Sequence, residues 1–204
     1  MSGLEVRGLC RSFGGIRVLD GVNFSVPTGQ TAIVVGANGV GKTTLLRCIV
    51  GADRPDAGDV LFDGRPMCET DPAVRAAVAA VLDDMDFFPD LSVSEHLELL
   101  AFAHGGESGA IPGLLAESAL WAVRNQMPAT LSTGQRRRLA LASCFARPRR
   151  LLILDEPEQR LDSGGRDWLV SRLIGEKAAG TTVLMASHDA DLTRRVADQL
   201  IEMG

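Results

Sequence analysis

Residues 36–43 have the sequence GANGVGKT, which matches the spacing G-x-x-x-x-G-K-[ST] without a mismatch. Before them, residues 31–35 (TAIVV) are apolar and largely β-branched, which predicts a buried strand. After them, residues 44–50 (TLLRCIV) predict a helix that ends at Gly51. In such a strand–loop–helix unit, backbone N–H groups and the helix N-terminus bind phosphate. The sequence therefore predicts a nucleotide-binding loop.

The residue types in this loop each suit a particular contact with a nucleotide. Glycine lets the backbone bend around phosphate oxygens, Lys42 reaches the β- and γ-phosphates, and the Thr43 hydroxyl ligates Mg²⁺. A chance glycine turn would leave a similar pattern, but the sequence has only the lysines Lys42 and Lys177, and one lies where the motif requires it. The loop residues that we expect to bind the nucleotide are Gly36, Asn38, Gly39, Gly41, Lys42, Thr43 and Thr44.

Two further strands precede side chains that suit phosphate chemistry. Residues 151–154 (LLIL) predict a buried parallel strand, and Asp155 and Glu156 follow at the end where α/β sheets bind ligands. Asp155 is placed to hold Mg²⁺ through water, and Glu156 to polarise an attacking water. The alternative is a strand followed by an acidic turn. Residues 181–186 predict the last strong strand, and His188 behind it is a candidate γ-phosphate contact.

Shorter strands are predicted on either side of the loop. Residues 4–9 and 22–26 alternate between apolar and polar side chains, and residues 60–64 enter a tight turn, so we expect antiparallel strands beside a parallel core. Residues 76–82 predict a further strand, although their alanines also suit a helix.

Residues 84–130 are predicted to form a small helical insert between strands. Ser92 and Glu95 have the spacing of a capping box, and residues 111–123 predict a second helix. His96 and His104 have no metal-ligand partners nearby in the sequence, so we expect both on the surface. With no repeat or low-complexity tail visible, we expect residues 1–204 to form a single domain that contains this insert.

Residues 131–135 (LSTGQ) precede an alanine- and leucine-rich helix that extends to Ala146. The basic run Arg136-Arg137-Arg138 lies in its first turns, where positive charge opposes the helix dipole. That arrangement makes sense if an anion docks nearby, although Ser-Thr-Gly is also a common helix start. We interpret the arginine run as a solvated helix face.

Composition excludes several classes of protein. The chain has 204 residues, 46% hydrophobic and 23% charged, and a net charge of −5 that argues against a nucleic-acid partner. The longest apolar run, residues 76–82, is far shorter than the roughly 20 residues that span a bilayer, and no signal peptide is visible. We therefore expect a cytoplasmic protein. The four cysteines are scattered, which favours reduced and mostly buried thiols.

Together these motifs resemble the ATP-binding subunit of ABC transporters over essentially the whole chain. Gly36–Thr43 matches the Walker A loop, Leu131–Gln135 the LSGGQ signature, and Leu151–Glu156 Walker B with its catalytic glutamate. His188 matches the switch histidine, and Phe13 lies where an aromatic residue stacks on adenine. The resemblance implies an α/β P-loop NTPase fold with a mainly parallel core sheet, an antiparallel β sub-domain and a helical insert.

The same resemblance implies how the protein works. ATP and Mg²⁺ would bind between two protomers of a homodimer or heterodimer, with Ser132, Gly134 and Gln135 of one facing the Walker A loop of the other. Lys42, Glu156 and His188 would be catalytic. The dimer would drive an integral membrane permease subunit on a separate chain, from the inner face of the membrane. Because the chain is short, the resemblance favours ABC-2-type exporters and the haem-exporter ATPase. A soluble ABC ATPase acting on ribosomes or DNA is the alternative, and a nucleotide sensor with little turnover is a weaker one.

Three positions depart from the family pattern. Asp83 replaces the usual glutamine, and we expect it to contact Mg²⁺ through water. Thr133 replaces a glycine of the signature, which predicts slower dimer closure. Gln159 and Arg160 place bulk and charge where the family has Ser-Ala at the meeting point of two protomers.

Overall fold

The computed structural model of the protein describes residues 3–68, 70–82 and 85–204. The strands are β1 (Leu4–Phe13), β2 (Ile16–Val26), β3 (Thr31–Val35), β4 (Ala57–Phe62), β5 (Arg65–Pro66), β6 (Val78–Val81), β7 (Leu151–Asp155), β8 (Thr182–Ala186) and β9 (Gln199–Glu202). The α-helices are α1 (Lys42–Val50), α2 (Pro72–Ala77), α3 (Val93–Ala103), α4 (Ile111–Glu117), α5 (Thr133–Phe145), α6 (Ser163–Ala178) and α7 (Ala190–Val196). Short 3₁₀ turns occupy Ser108–Ala110, Trp121–Val123 and Pro128–Thr130.

A parallel sheet with the strand order β6-β7-β8-β3-β9 forms the centre of the described structure. Strand β7 is buried along its whole length, and its side chains alternate between two cores. Leu152 and Leu154 pack with the buried faces of α3 to α6, whereas Leu151 and Ile153 pack with α1 and the antiparallel strands. A strand with core on both faces is continuously apolar, which is why residues 151–154 contain no polar side chain.

The second sheet is antiparallel, with the order β2-β1-β4-β5. Leu4 pairs with Val26 on one side and with Phe62 on the other, and all three belong to the core that contains α1. The prediction of antiparallel strands beside a parallel core is therefore confirmed. Strands β1 and β2 run beyond the predicted segments because Gly14 and Gly15 close a hairpin between them.

Residues 76–82 are predicted as a strand with a helix as the alternative, and they form the end of a helix followed by a strand. Asp71 caps α2 by accepting a hydrogen bond from the Ala73 N–H, and Pro72 begins the helix. The helix ends at Ala77, and β6 then adds to β7 as a parallel strand. The alanines of this segment thus belong both to the end of a helix and to a strand.

Among the described residues between β6 and β7, three α-helices are present. The capping box of Ser92 and Glu95 begins α3, as predicted. The second helix is shorter than predicted, because α4 ends at Glu117 rather than continuing to residue 123. Ala119 takes a left-handed φ of 56°, and the Leu120 N–H donates to the Leu115 carbonyl, so the chain closes a helix-ending turn without glycine.

The expectation that both histidines lie on the surface is wrong for His96. Its side chain is 2% exposed, its Nε2 lies 3.1 Å from the Ser143 hydroxyl, and Phe87 packs edge-on at 5.3 Å between ring centroids. His104 is half-buried, with its Nε2 3.1 Å from the Arg147 guanidinium. Burial lowers the pKa of His96, and burial followed by the charge of Arg147 lowers that of His104.

All four cysteines are free thiols, and two of them are buried. Burial raises the pKa of Cys48 to about 11 and that of Cys144 to about 12, which makes both inert. Cys10 is half-buried, and Cys68 is exposed. Within the described part of the chain, no helix combines the length and apolar character that crossing a lipid bilayer requires.

Candidate functional site

The parallel sheet brings the predicted site residues to one edge. Strands β3, β8 and β7 are direct neighbours and point the same way, so their C-terminal ends meet. Strand β3 leads into the glycine loop, β7 ends at Asp155 next to Glu156, and β8 leads to His188. Segments that are more than one hundred residues apart in the sequence thus converge on one site.

Two glycines fix the path of the loop. A Cβ on Gly36 would lie 2.4 Å from the Met203 carbonyl oxygen, so only glycine fits beside the end of β9. Gly41 has a φ of 110°, and a Cβ there would lie 2.7 Å from Cγ1 of Val18. It is also the N-cap of α1, which has no side-chain cap and no acidic residue in its first turn. The first N–H groups of α1 are therefore left for another acceptor.

Lys42 is a buried cation in this loop. It is 6% exposed, and its Nζ donates to the carbonyl oxygens of Gly36 and Ala37 at 2.9 and 3.1 Å. Among the described residues no carboxylate pairs with it. A buried ammonium held only by neutral carbonyls is a favourable partner for an anion.

Thr43 and Asp155 join the loop to the end of β7. The Thr43 hydroxyl donates to Asp155 Oδ2 at 2.6 Å, and Asp155 is 8% exposed. A hydroxyl and a carboxylate at this distance are oxygen donors of the kind that Mg²⁺ prefers. In the described ranges no cluster of three or more His, Cys, Asp or Glu residues could hold a metal ion by protein ligands alone.

Glu156 and His188 face each other at the same edge. His188 Nε2 lies 3.3 Å from Glu156 Oε1, and their side chains are 42% and 25% exposed. Glu156 has a left-handed φ of 43°, and its N–H donates to the Ala186 carbonyl at 2.9 Å. The backbone of Glu156, the carboxylate residue that follows Asp155, is thus held in an uncommon conformation.

The interpretation of residues 136–138 as a solvated helix face is wrong for two of its three arginines. Arg137 is 9% exposed and donates from Nη2 to the carbonyl oxygens of Asp155 and Glu156, both at 2.7 Å. Arg138 pairs with Asp162 and donates to the Ser118 carbonyl, whereas Arg136 is exposed. Helical spacing offered a signal, because Arg137 shares a helix face with the apolar residues Leu141 and Cys144.

The carboxylate that Arg138 contacts, Asp162, lies at the start of the next helix. Asp162 is the N-cap of α6, and its side chain accepts a hydrogen bond from the Gly165 N–H at 2.8 Å. This hydrogen bond and then the Arg138 guanidinium lower the pKa of Asp162. The start of α5 is therefore tied both to the end of β7, through Arg137, and to the start of α6.

Two adjoining cavities open at the sheet edge. One, of about 390 Å³, is lined by Val18, Asn38, Gly39, Gly41, Lys42, Thr43, Thr44 and Glu156. The other, of about 290 Å³, is lined by Thr43, Leu82, Arg137, Asp155, Glu156, Gln159 and Arg160. Thr43 and Glu156 line both. Val18, Leu82 and Arg137 are the residues of these walls that the sequence motifs did not identify as site residues.

Several predicted residues lie outside these two cavities. Ser132 and Gln135 form a capping box at the start of α5 and, like Gly134, line neither cavity. Phe13 ends β1 in the hairpin that carries Val18, is 45% exposed, and has the Arg11 guanidinium 4.5 Å from its ring centre. Asp83, predicted as a third magnesium ligand, lies outside the described residues.

A model of the ABC transporter family matches residues 19–159, a range that includes the glycine loop and the acidic pair. The chain belongs to the ABC transporter family. Its architecture is the ABC ATPase fold, and by family and fold it is an ATP-binding cassette of the ABC ATPase class.

Curated relatives in this family are named as import proteins. A sulfate/thiosulfate import ATP-binding protein of Chromobacterium violaceum is 36% identical, over 98% of this chain and 56% of its own length. An Fe(3+) ions import ATP-binding protein of Rhodococcus jostii is 38% identical, over 98% of this chain and 59% of its own. The chain thus spans somewhat more than half the length of these relatives. The expectation of an exporter-type subunit finds no support among them.

Solved structures of ABC ATP-binding subunits have the same fold. An ATP-binding subunit of an ABC transporter superposes with a TM-score of 0.91 at 28% identity, covering 99% of this chain and 86% of its own. A dimeric ATP-binding cassette in a post-hydrolysis state, with ADP and Pi bound, superposes with a TM-score of 0.86 at 25% identity. That match covers 98% of this ABC protein and 94% of the other chain.

Proposed function

We propose that the protein binds ATP with Mg²⁺ at the C-terminal edge of the parallel sheet and hydrolyses it to power an ABC transporter. The observation that carries this proposal is the buried charge of Lys42 in a glycine loop, which meets no carboxylate among the described residues and lies next to the hydrogen-bonded pair Thr43 and Asp155. The Lys42 ammonium suits an anion, and the oxygen atoms of Thr43 and Asp155 suit a divalent cation. A nucleoside triphosphate with its magnesium ion provides both.

The phosphates would bind where Lys42 now meets the loop carbonyls. The uncapped N-terminus of α1 supplies N–H groups, and the absence of acidic residues in its first turn leaves its positive dipole end uncompensated. Gly36, Asn38, Gly39, Gly41 and Thr44 would contribute the surrounding loop surface. Phe13, in the neighbouring hairpin, would stack on the adenine ring.

Thr43 and Asp155 would hold Mg²⁺, because their hydroxyl and carboxylate are oxygen donors of the kind that this ion prefers. When bound, the ion would neutralise charge that develops on the phosphates during hydrolysis. Asp83 is proposed as a further contact through water. A magnesium ion that binds together with ATP would need few ligands from the protein. This agrees with a site that has the Asp155 carboxylate at the end of β7 and the neighbouring Thr43 hydroxyl.

Glu156 and His188 are proposed to manage the attacking water. Glu156 lies on the wall common to both cavities, where a water in line with the γ-phosphate would need a proton acceptor. His188, 3.3 Å away, would keep that carboxylate oriented and contact the γ-phosphate. In this assignment Lys42, Glu156 and His188 are the catalytic residues.

The site would be completed by a second protomer. Ser132, Gly134 and Gln135 line neither sheet-edge cavity of their own chain, so they are available to face the nucleotide of a partner. The dimeric relative with ADP and Pi bound supports this arrangement. Whether the partner is a second copy or a different ABC ATPase depends on how Gln159 and Arg160 fit the opposing surface.

The work done by this dimer is proposed to be transport by a permease subunit on a separate chain at the inner face of the membrane. The names of the relatives favour import over the export direction that chain length suggested. They also favour transport over the alternative of a soluble ABC ATPase that acts on ribosomes or DNA. Residues 1–204 would act as one ATPase domain, with residues 84–130 as its helical insert.

ATP binding by lysine variants tests the site directly. Lys42→Ala should weaken ATP affinity at least about tenfold, because it removes the buried charge that meets the phosphates. Lys177→Ala is the matched control, since this other lysine pairs with Asp198 at the surface. Calorimetric titration with MgATP measures both variants. Equal affinity of Lys42→Ala and the unmodified protein would contradict the proposed function.

Dimerisation is tested with two serine variants. Ser132→Ala should abolish ATP-dependent dimers, measured as molecular mass by light scattering in the Glu156→Gln background that retains ATP. Ser92→Ala is the control, because Ser92 forms the same kind of capping box at the start of α3. Both variants lose a helix cap worth about 1 kcal/mol, and only Ser132→Ala should lose the dimer.

A further inference from the structure

A buried glutamate holds the segment that carries His188. Glu158 is 7% exposed, and its Oε1 accepts a hydrogen bond from the Ser187 hydroxyl at 2.6 Å and from the His188 N–H at 3.2 Å. The Ser187 oxygen accepts in turn from the Asp189 N–H at 3.0 Å. One carboxylate oxygen therefore organises the turn that follows β8.

This arrangement has an energetic cost that packing alone does not explain. The second carboxylate oxygen of Glu158, Oε2, is buried and has no hydrogen-bond partner within the described ranges. A buried carboxylate with an unsatisfied oxygen is destabilising compared with an apolar side chain of similar size. A leucine would fill this position at lower cost, so the two hydrogen bonds of Oε1 need a reason beyond the stability of the fold.

The position of Glu158 supplies that reason. It lies two residues after Glu156, so the chain that carries the acid also carries the acceptor for the His188 backbone. His188 itself is 42% exposed along its side chain, and its ring meets Glu156 Oε1 at 3.3 Å. Ring and backbone of His188 are thus both held from one short segment, which fixes the distance between histidine and acid.

We propose that Glu158 is a positioning residue for hydrolysis: it holds the Ser187–His188 turn so that the imidazole stays against Glu156. This inference rests on the proposed function, in which His188 and Glu156 act on the γ-phosphate and its water. Without Glu158, the buried Ser187 hydroxyl and the His188 N–H lose their acceptor. A displacement of about 1 Å at reacting groups lowers rates by on the order of 100-fold.

Two substitutions at this position separate hydrogen bonding from charge. Glu158→Gln keeps a carbonyl oxygen that accepts both hydrogen bonds, whereas Glu158→Leu fills similar space without an acceptor. We expect Glu158→Leu to lower kcat for ATP hydrolysis by about 10- to 100-fold with KM within about threefold, and Glu158→Gln to restore most of the rate. Glu176→Gln is the control for weakening any buried glutamate, since Glu176 is 5% exposed and pairs with Arg149 and Arg172.

A double-mutant comparison tests whether Glu158 acts through His188. If it does, Glu158→Leu should lower the residual rate little in a His188→Ala background, because the group it positions is already gone. A full additional loss in that background would overturn the proposal. Equal rates for Glu158→Leu and the unmodified protein would also overturn it, as would Glu158→Gln losing as much activity as Glu158→Leu.

A measurement independent of turnover keeps this inference separate from the proposed function. The sequence has three histidines, so the imidazole signals in an NMR spectrum can be assigned by single substitutions. Glu158→Leu should shift or broaden the His188 ring signals, and Glu158→Gln should leave them near their original positions. His96 and His104 serve as internal references. An unmodified protein that binds no ATP would end the proposed function, whereas an unmoved His188 signal in Glu158→Leu would end this inference alone.

Discussion

The edge of the parallel sheet and the helical segment between β6 and β7 use polar side chains in opposite ways. At the edge, Glu156 and His188 are partly exposed and line or face a cavity. In the helical segment, His96 and Arg137 are buried and bonded to other parts of the same chain. At the sheet edge the polar groups remain available to a ligand, whereas in the helical segment they form hydrogen bonds that hold elements of the chain together.

Substitutions at the sheet edge should therefore change the chemistry, and substitutions in the helical segment should change the stability of the fold. Glu156 holds a left-handed backbone conformation, which costs free energy and suggests selection for something other than folding. Arg137 donates hydrogen bonds to carbonyl oxygens at the end of β7 and so ties α5 to that strand. Four substitutions and one matched control test this division, and the largest effect is expected at the sheet edge.

Glu156→Gln should have the largest effect on activity and little effect on folding. The amide keeps the size of the side chain but cannot accept the proton of an attacking water, so we expect kcat to fall at least about 100-fold. ATP affinity and the melting temperature should stay close to those of the unmodified protein. Phosphate release and thermal unfolding measure the two quantities. A variant that retains its rate would remove Glu156 from catalysis and favour the nucleotide-sensor alternative.

Arg137→Leu should affect both regions, because Arg137 lies in α5 and bonds to the backbone of the acidic pair. Loss of its hydrogen bonds leaves the carbonyls of Asp155 and Glu156 without this donor, and we expect about 2–3 kcal/mol less stability. The rate of hydrolysis should also fall, since the end of β7 loses a support. Chemical denaturation gives the free energy of unfolding.

Arg136→Leu is the matched control for Arg137→Leu, because it removes one positive charge from the same helix at an exposed position. Its stability should change by less than about 0.5 kcal/mol. If the two variants were equally stable, the contacts of Arg137 with β7 would carry no net energy, and the contrast between the regions would be lost.

Sequence reasoning located the sheet edge well because local patterns determine it. The short apolar run before Asp155 favours a strand with core on both faces, and the glycine loop between β3 and α1 has its own spacing. Once β3, β7 and β8 are parallel neighbours, the ends of these strands must converge. The order of the strands was not predicted, because no single strand specifies its neighbours, and it comes from the structure.

Sequence reasoning described the helical segment less well because tertiary contacts decide it. The sequence around His96 does not indicate that its hydrogen-bond partner is Ser143, which lies 47 positions away. The end of α4 depends on a left-handed alanine, a conformation that the residue type does not favour. For Arg137 the helical spacing was visible, but its carbonyl partners were not. Buried polar residues in the helical segment between β6 and β7 therefore need the structure before their partners can be assigned.

Phe13→Ala should have a smaller effect, on ATP affinity rather than on stability. Removing the ring deletes the proposed stacking surface for adenine, and we expect ATP affinity to weaken by about 1–3 kcal/mol at most. Stability should hardly change, because Phe13 is 45% exposed at the end of β1. Titration with ATP and with inorganic triphosphate separates base from phosphate binding. A loss that was equal for both ligands would argue against stacking.

The smallest effect is expected from His96→Leu, and its sign depends on pH. At pH 7.5 the change should stay within about 1 kcal/mol, because the Ser143 hydroxyl still donates to the Leu139 carbonyl and the leucine fills apolar surroundings. Burial lowers the pKa of His96 in the folded protein, whereas an unfolded histidine has a pKa of about 6.5. Below that pH the unfolded chain therefore binds a proton that the folded chain does not.

The unmodified protein should thus lose stability as the pH falls through about 6.5 until the lowered pKa of the folded state is reached. His104, whose pKa is also lowered, contributes in the same direction, and it is retained in His96→Leu, so the difference between the two proteins isolates His96. Urea unfolding at several pH values between about 7.5 and 5.5 measures it, and the free-energy curve of His96→Leu should be flatter. ATP affinity at pH 7.5 should be unchanged. Parallel curves would mean that His96 takes up its proton in the folded state as readily as in the unfolded chain, and the helical segment would then be more open to solvent than its packing indicates.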